Sequence, residues 1–288
     1  MASNNMPDIK RRIKSVTSTE HITNAMKLVS AAKLRKAKAT FERTNEYFHY
    51  VTESIDEIFN SSSQIPEKYL AGTREIENTC YIIITSCKGL CGSFNSSVIK
   101  QAELELASAS KDSMIVAIGS KGKEYFEKRG KNIFCDYLLP PEEITFEETR
   151  TMARKIIDMY DKGKIDCVRL IYTSFVNNLE QQVQSMQLLP FEIEKSMDVM
   201  KIDNQVEYEP SVEAVFNYLV PKYVEILLYG AVIESATCEH AARRMAMENA
   251  TDNAREMLGQ LSLFYNRARQ AAITNEIIEV VSGSEAQK

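Results

Sequence analysis

Tryptophan is absent from these 288 residues, and the two chain breakers are thin: ten glycines and seven prolines. Scarce breakers favour long uninterrupted elements. No run of about 18 apolar residues occurs, so no membrane-crossing helix is expected. The opening "MASNNMPDIKRRIKSV" follows its charges with no apolar segment and is not read as a secretory signal. Without such a signal, six cysteines in so long a chain point to a reducing compartment and free thiols. Cys87 and Cys91 have CxxxC spacing, which is neither a zinc nor a thioredoxin pattern. The three histidines, His21, His49 and His240, lie far apart and lack an HExxH neighbour, so surface or seam packing is the commoner reading for each. The chain has no GxGxxG, no GxxxxGK[ST] and no GxSxG. "TSCKGLCGSFNSS" (85–97) stands where a phosphate loop would, after a buried strand and before a helix, but reads better as a tight turn. No catalytic residue, cofactor or metal site is therefore expected.

What is present is an ordinary globular composition, 44% hydrophobic and 26% charged. The net charge of −5 is unevenly spread. Residues 1–50 hold ten Lys/Arg against four Asp/Glu, leaving 25 against 36 in the remainder. Such a basic arm suits nucleic acid or an acidic protein partner, and is most often a solvated helix face.

The chain divides into three. Residues 1–60 read as one helix from about 8 to 60, with Pro7 at its start and neither Pro nor Gly before Pro66. At about 1.5 Å per residue it would be on the order of 80 Å long. Its second half has a heptad seam of Leu34, Phe41, Phe48 and Ile55 with Ala37, Thr44, Val51 and Ile58. The first half (Ile9, Ile13, Val16, Ile22, Met26 and Val29) reads as out of register with that seam. Residues 72–210 alternate between strand and helix. Strands are expected at 80–85, 113–120, 132–139, 164–175 and 179–190, and helices at 95–109, 122–130 and 145–162. That order implies a central, Rossmann-like α/β domain on a parallel sheet. Residues 211–288 read as a second long helix, beginning or kinking at Pro221. Its seam runs Ile226, Tyr229, Ile233, Ala236, His240, Arg243, Met247, Ala250, Ala254, Met257, Leu261, Phe264, Ala268, Ala271, Asn275, Ile278. A helix of roughly 100 Å needs a partner helix, and the N-terminal one suits an antiparallel coiled coil. Thr44, His240, Arg243 and Asn275 place polar groups on the seams, where they can fix register. "AITNEIIEVV" (272–281) is apolar enough to need a neighbour beyond the pair.

Both ends resemble the gamma subunit of the F-type ATP synthase, in its bacterial form. The resemblance rests on "IKRRIKSVTSTEHITNAMKLVSAAKLRKA" (9–37), "EHAARRMAMENATDNAREM" (239–257) and "YNRARQAAITNEIIEVVSG" (265–283), with "GLCGSFNSSV" (89–98) between them. It covers essentially the whole chain. It implies a central rotor shaft standing inside a ring of three alpha and three beta subunits, bound to the epsilon subunit and the c ring, and without catalysis of its own. It also implies a place on the cytoplasmic face of the cell membrane, held only through the complex, and no nucleic acid partner. By the same resemblance Arg269, Gln270 and Met26 meet the beta subunit. Lys10, Arg11, Arg12, Lys33, Arg35 and Lys36 are the basic shaft positions, and Glu207, Tyr208 and Glu209 lie near the c ring. Two positions depart from the family pattern: Cys87 where Asp is common, and Cys238 where Ser is common. A different class, a small α/β nucleotide-binding enzyme with a coiled-coil arm, is the alternative on the residues alone. A basic coiled-coil adaptor for nucleic acid is a third, disfavoured by the acidic balance after residue 50.

Overall fold

The computed structural model describes residues 6–61, 66–72, 76–109, 113–177, 179–191 and 209–285. Ten elements follow in order: α1 (Met6–Ser61), β1 (Thr79–Ile84), α2 (Phe94–Ser108), β2 (Met114–Ile118), α3 (Ser120–Glu127), β3 (Ile133–Tyr137), α4 (Phe146–Asp161), β4 (Cys167–Phe175), β5 (Gln181–Leu189) and α5 (Val212–Glu285). The fold is mixed α/β with long terminal helices. Every strand and helix expected from the sequence is present, with ends shifted by a few residues. Pro221 neither starts nor ends α5, which runs through it. Within the described residues the chain forms two compact units, one from the stretches 1–31 and 243–288, the other from 32–242.

The larger unit is built on a five-stranded sheet in the order β3-β2-β1-β4-β5. Four strands are parallel, and β5 returns antiparallel against β4. The edge is antiparallel where Asn177 closes a short hairpin by accepting the amides of Leu179 and Glu180. The run "TCYIII" of β1 lies near the sheet centre, and all six of its residues are buried. Ile82 and Ile84 face one layer with α4 (Met152, Ile156, Tyr160) and α5 (Phe216, Val220, Val224, Leu228, Val232). Tyr81 and Ile83 face the other, with α2 (Val98, Ile99, Ala102) and Phe126 of α3. This is the period-2 alternation of a strand covered on both sides. α4 starts on a capping box: Thr145 accepts the amide of Glu148, and Glu148 accepts the amide of Thr145.

In the smaller unit α1 and α5 run antiparallel. Arg255 Nε donates to Glu20 Oε1 at 3.0 Å, and Thr251 Oγ1 donates to Thr23 Oγ1 at 2.8 Å, so residue numbers fall on one helix as they rise on the other. Thr23 in turn donates to Glu20 O.

Candidate functional site: the long helices and their surfaces

Along α1 the positions Ile9, Ile13, Val16, Glu20, Thr23, Lys27, Ser30 and Leu34, and then Ala37, Phe41, Thr44, Phe48, Val51 and Ile58, are all at least partly covered, as are Thr17, Asn24, Met26, Ala31 and Lys38 beside them. This is one heptad register from end to end, which corrects the expectation that the first half falls out of step. Ile9, Ile13 and Val16 belong to the seam, whereas Ile22 and Val29 are exposed. The mistaken reading has a physical cause. Between Val16 and Leu34 the seam is carried by Glu20, Thr23, Lys27 and Ser30, so a search for apolar residues follows the wrong face. The hydroxyls survive in a helix because each donates back to its own backbone, Thr23 to Glu20 O and Ser30 to Met26 O at 2.7 Å. Thr44 does the same toward Thr40 O. The Ile55 side chain lies outside those described.

The α5 seam is buried as expected at Ile226, Ile233, Ala236, His240, Arg243, Met247 and Ala254. It then shifts by one residue. Thr251 is fully buried, Leu258, Leu261, Tyr265, Ala268 and Ala272 are partly covered, and Met257 and Phe264 are exposed. A straight helix drifts by about 20° per heptad against a strict 3.5 repeat, which moves the inward face from 250 to 251 over a few turns. Beyond Ala272 the helix is exposed all round. Ile273, Ile277, Ile278, Val280 and Val281 stand open, Val280 at 73%, and Asn275 is exposed too.

The predicted contact residues fall as follows. Arg269 and Gln270 are exposed neighbours on α5. Met26 is half-buried, while Lys10, Arg11, Arg12, Arg35 and Lys36 are exposed on α1, Arg11 pairing with Asp8 at 2.8 Å. Lys33 instead has a partner inside the chain, its Nζ lying 2.8 Å from Glu142 Oε1. Glu209 is exposed, whereas Glu207 and Tyr208 lie outside the described residues. Sequence reasoning missed Glu20, Thr23, Thr251, Arg255 and Glu142. Heptad phase alone, extended back from Leu34, could have found Thr23.

The turn at 85–97 is closed on its own groups. Ser86 donates its amide to Asn95 Oδ1 at 2.9 Å and its hydroxyl to Lys88 O at 2.6 Å, and Asn95 Nδ2 donates to Ser86 Oγ at 2.7 Å. Nearby, Gly119 lets β2 pass against β1's end: a Cβ there would sit 2.1 Å from Thr85 O. Cys91 and Cys238 are buried together with Phe94. Burial pushes the Cys238 thiol well above the usual range and the Cys87 thiol upward, so neither is an activated nucleophile. Among the described residues all six cysteines are free, and no group of three His, Cys, Asp or Glu is placed to hold a metal.

Comparison with known proteins decides the family. The ATP synthase family model matches residues 5–287. The ATP synthase gamma chain of Alkaliphilus metalliredigens is 44% identical over 98% of this chain and 99% of its own. This chain belongs to the ATP synthase gamma chain family. The gamma chain of Moorella thermoacetica is 42% identical over 98% and 99%. Among solved structures, a mitochondrial ATP synthase of Euglena gracilis in rotational state 3 matches with TM-score 0.70 at 17% identity, covering 99% of this chain and 95% of that one. The rotor of the same organism matches with TM-score 0.69 at 17% identity, over 94% and 99%. These likenesses show a shared fold. As a gamma chain, the protein is a central-stalk subunit of an ATP synthase and is not an enzyme on its own. No helix among the described residues is long and apolar enough to cross a membrane.

Proposed function

We propose that this gamma chain is the rotor shaft that carries ion-driven rotation of the c ring to the catalytic beta subunits, or ATP-driven rotation back. The observation that carries the reading is the bare end of α5. Six large apolar side chains between Phe264 and Val281 stand more than 45% exposed among the described residues. Contiguous exposed apolar surface marks a site for a protein partner. The ring of alpha and beta subunits is the partner this surface suits.

The mechanism follows from asymmetry. Chemically identical sites around a shaft can be told apart only by the face it turns toward them. Each face biases its site between conformations through differential contact. Arg269, Gln270 and Met26 are the contacts we assign to the beta subunit. Lys10, Arg11, Arg12, Arg35 and Lys36 offer positive charge that acidic loops can follow as the shaft turns. We assign Glu207, Tyr208 and Glu209 to the c ring contact, and the epsilon subunit to the α/β body. In this reading the chain sits at the cytoplasmic face of the cell membrane through its complex alone, and 1–60 with 211–288 act as shaft around a 72–210 body.

The test is co-assembly. The isolated chain should hydrolyse no ATP and should restore coupled hydrolysis when mixed with matching alpha and beta subunits. Failure to join them would overturn the reading. Gln270→Leu should impair assembly or turnover of the complex and leave the helicity of the free chain unchanged. Normal turnover in that variant would remove the assigned beta contact.

A further inference from the structure

We infer that Glu142 is a positioning residue that locks the sheet to both long helices, so that sheet and helices turn as one piece. The inference rests on the rotor reading above and concerns how the body is fastened.

Glu142 sits on a stiff mount. It lies in the short 3-10 turn Pro141–Glu143 between β3 and α4. Pro140 and Pro141 fix the backbone before it, and Pro141 is buried. Ile144, two residues on, is buried in the core under α4, and Thr145 then caps that helix. The carboxylate is thus held by anchors on both sides and cannot follow a helix that moves away.

Two helices come to it. Lys33 Nζ of α1 lies 2.8 Å from Oε1, and His240 Nε2 of α5 lies 3.5 Å from the same oxygen. His240 is 2% exposed, and the Glu142 side chain only 20%. All three residues belong to the unit 32–242. Along α1 the other packing on the body is mainly apolar, while α5 is also bonded to β4, where Ser174 Oγ and the Phe175 amide each donate to Glu234 Oε1 at 2.8 Å. Examples of the apolar contacts are Phe146 edge-on to Tyr229 and Phe41 edge-on to Phe175. Apolar burial is non-directional and tolerates small slides. A charge-assisted contact at 2.8 Å has a direction and is lost on a small displacement. A slip of the body against α1 must therefore break the Lys33 contact at Glu142, and a slip against α5 disturbs the contacts at both Glu142 and Glu234. Under torque, Glu142 is a point of resistance that meets both helices at once.

The test uses complexes reconstituted into sealed vesicles with wild-type, Glu142→Gln, Glu142→Ala or Lys33→Met gamma chains. ATP hydrolysis and ATP-driven ion uptake are read on the same vesicles, with proton and sodium uptake followed in parallel. In Glu142→Ala the ratio of uptake to hydrolysis should fall by about threefold or more, the scale expected of one weakened coupling contact. Hydrolysis itself should hold within about twofold. Glu142→Gln and Lys33→Met should give intermediate ratios, and Glu142→Asp should recover part of the loss. If Glu142→Ala fails to assemble, the Gln and Met variants decide. Wild-type ratios in assembled Gln and Met variants would overturn this inference alone. A wild-type chain that does not join alpha and beta would overturn the rotor reading as well.

Discussion

One helix, α5, carries two kinds of surface. From Val212 to Ala254 it is an inner wall: Phe216, Val220, Val224, Leu228 and Val232 recur every fourth residue, each at 0% exposure. After Ala254 no described residue is buried, and from Ile273 to Gly283 all are exposed. The first half is a helix because burying that stripe stabilises it. In the second half intrinsic propensity adds to a thinner, partly covered stripe, since "AREMLGQLSLFYNRARQAA" is rich in Ala, Leu, Arg and Gln and has one Gly. The difference separates two uses of one secondary structure. Where α5 packs inside the chain its sequence answers to the sheet, and where it is bare its sequence answers to something else.

The sharpest way to break this contrast is to truncate the wall. Phe216→Ala removes a fully buried ring beneath the sheet and should cost about 3–5 kcal/mol. Urea unfolding of the isolated chain, followed by far-UV circular dichroism, reads this directly. A loss below about 1 kcal/mol would mean the stripe is not the core that its burial implies.

That part of the molecule was legible in the sequence. β-branched runs such as "CYIII" have few structural options, and breakers mark their ends. The antiparallel pairing of the long helices was legible from length alone. Two things were not. The seam between Val16 and Leu34 was hidden because hydroxyl and charged side chains hold it, and a hydrophobic pattern cannot register Thr23 or Ser30. Glu142 was hidden because its partners are 109 residues before it and 98 after it. Nothing in "PPEEIT" says which helix will arrive. Lys33 looked like one more surface cation for the same reason.

Acid should expose the charged fastening within the body. Burial pushes the Glu142 carboxyl up, but the approach of His240 and the hydrogen bond from Lys33 outweigh it. They hold the group at about 2 against an ordinary 4.5. The folded value is the depressed one. Its contribution is therefore fully present above about pH 4.5 and is lost as pH falls toward about 2. The lost stabilisation is at most about 3 kcal/mol. Unfolding of wild type and Glu142→Gln should be compared from pH 6 to pH 2. Their stability difference should shrink steadily below about pH 4.5. A difference that stays constant across that window would show that the carboxylate is not held this way.

In the smaller unit the effects should be less. Thr251→Val keeps the volume and removes the hydroxyl that donates to Thr23, so about 1 kcal/mol should go. Thr23→Val together with Thr251→Val should cost less than the sum of the two alone, by about 0.5 kcal/mol or more, because they share one bond. Additive losses would show that register is set by the apolar neighbours and not by this pair.

The smallest effect on the chain should come from the bare end, and it completes the contrast. Phe264 is 56% exposed, so Phe264→Ala should change the stability of the free chain by no more than about 0.5 kcal/mol. The same change should weaken co-assembly with alpha and beta subunits, because a large apolar ring contributes most when a partner removes it from water. The two measurements together separate the halves of α5. Phe216→Ala damages the chain before any partner is added, and Phe264→Ala damages only what the chain joins. If Phe264→Ala lowered chain stability by several kcal/mol, the exposed end would be packed within the chain, and its apolar side chains would no longer call for a partner.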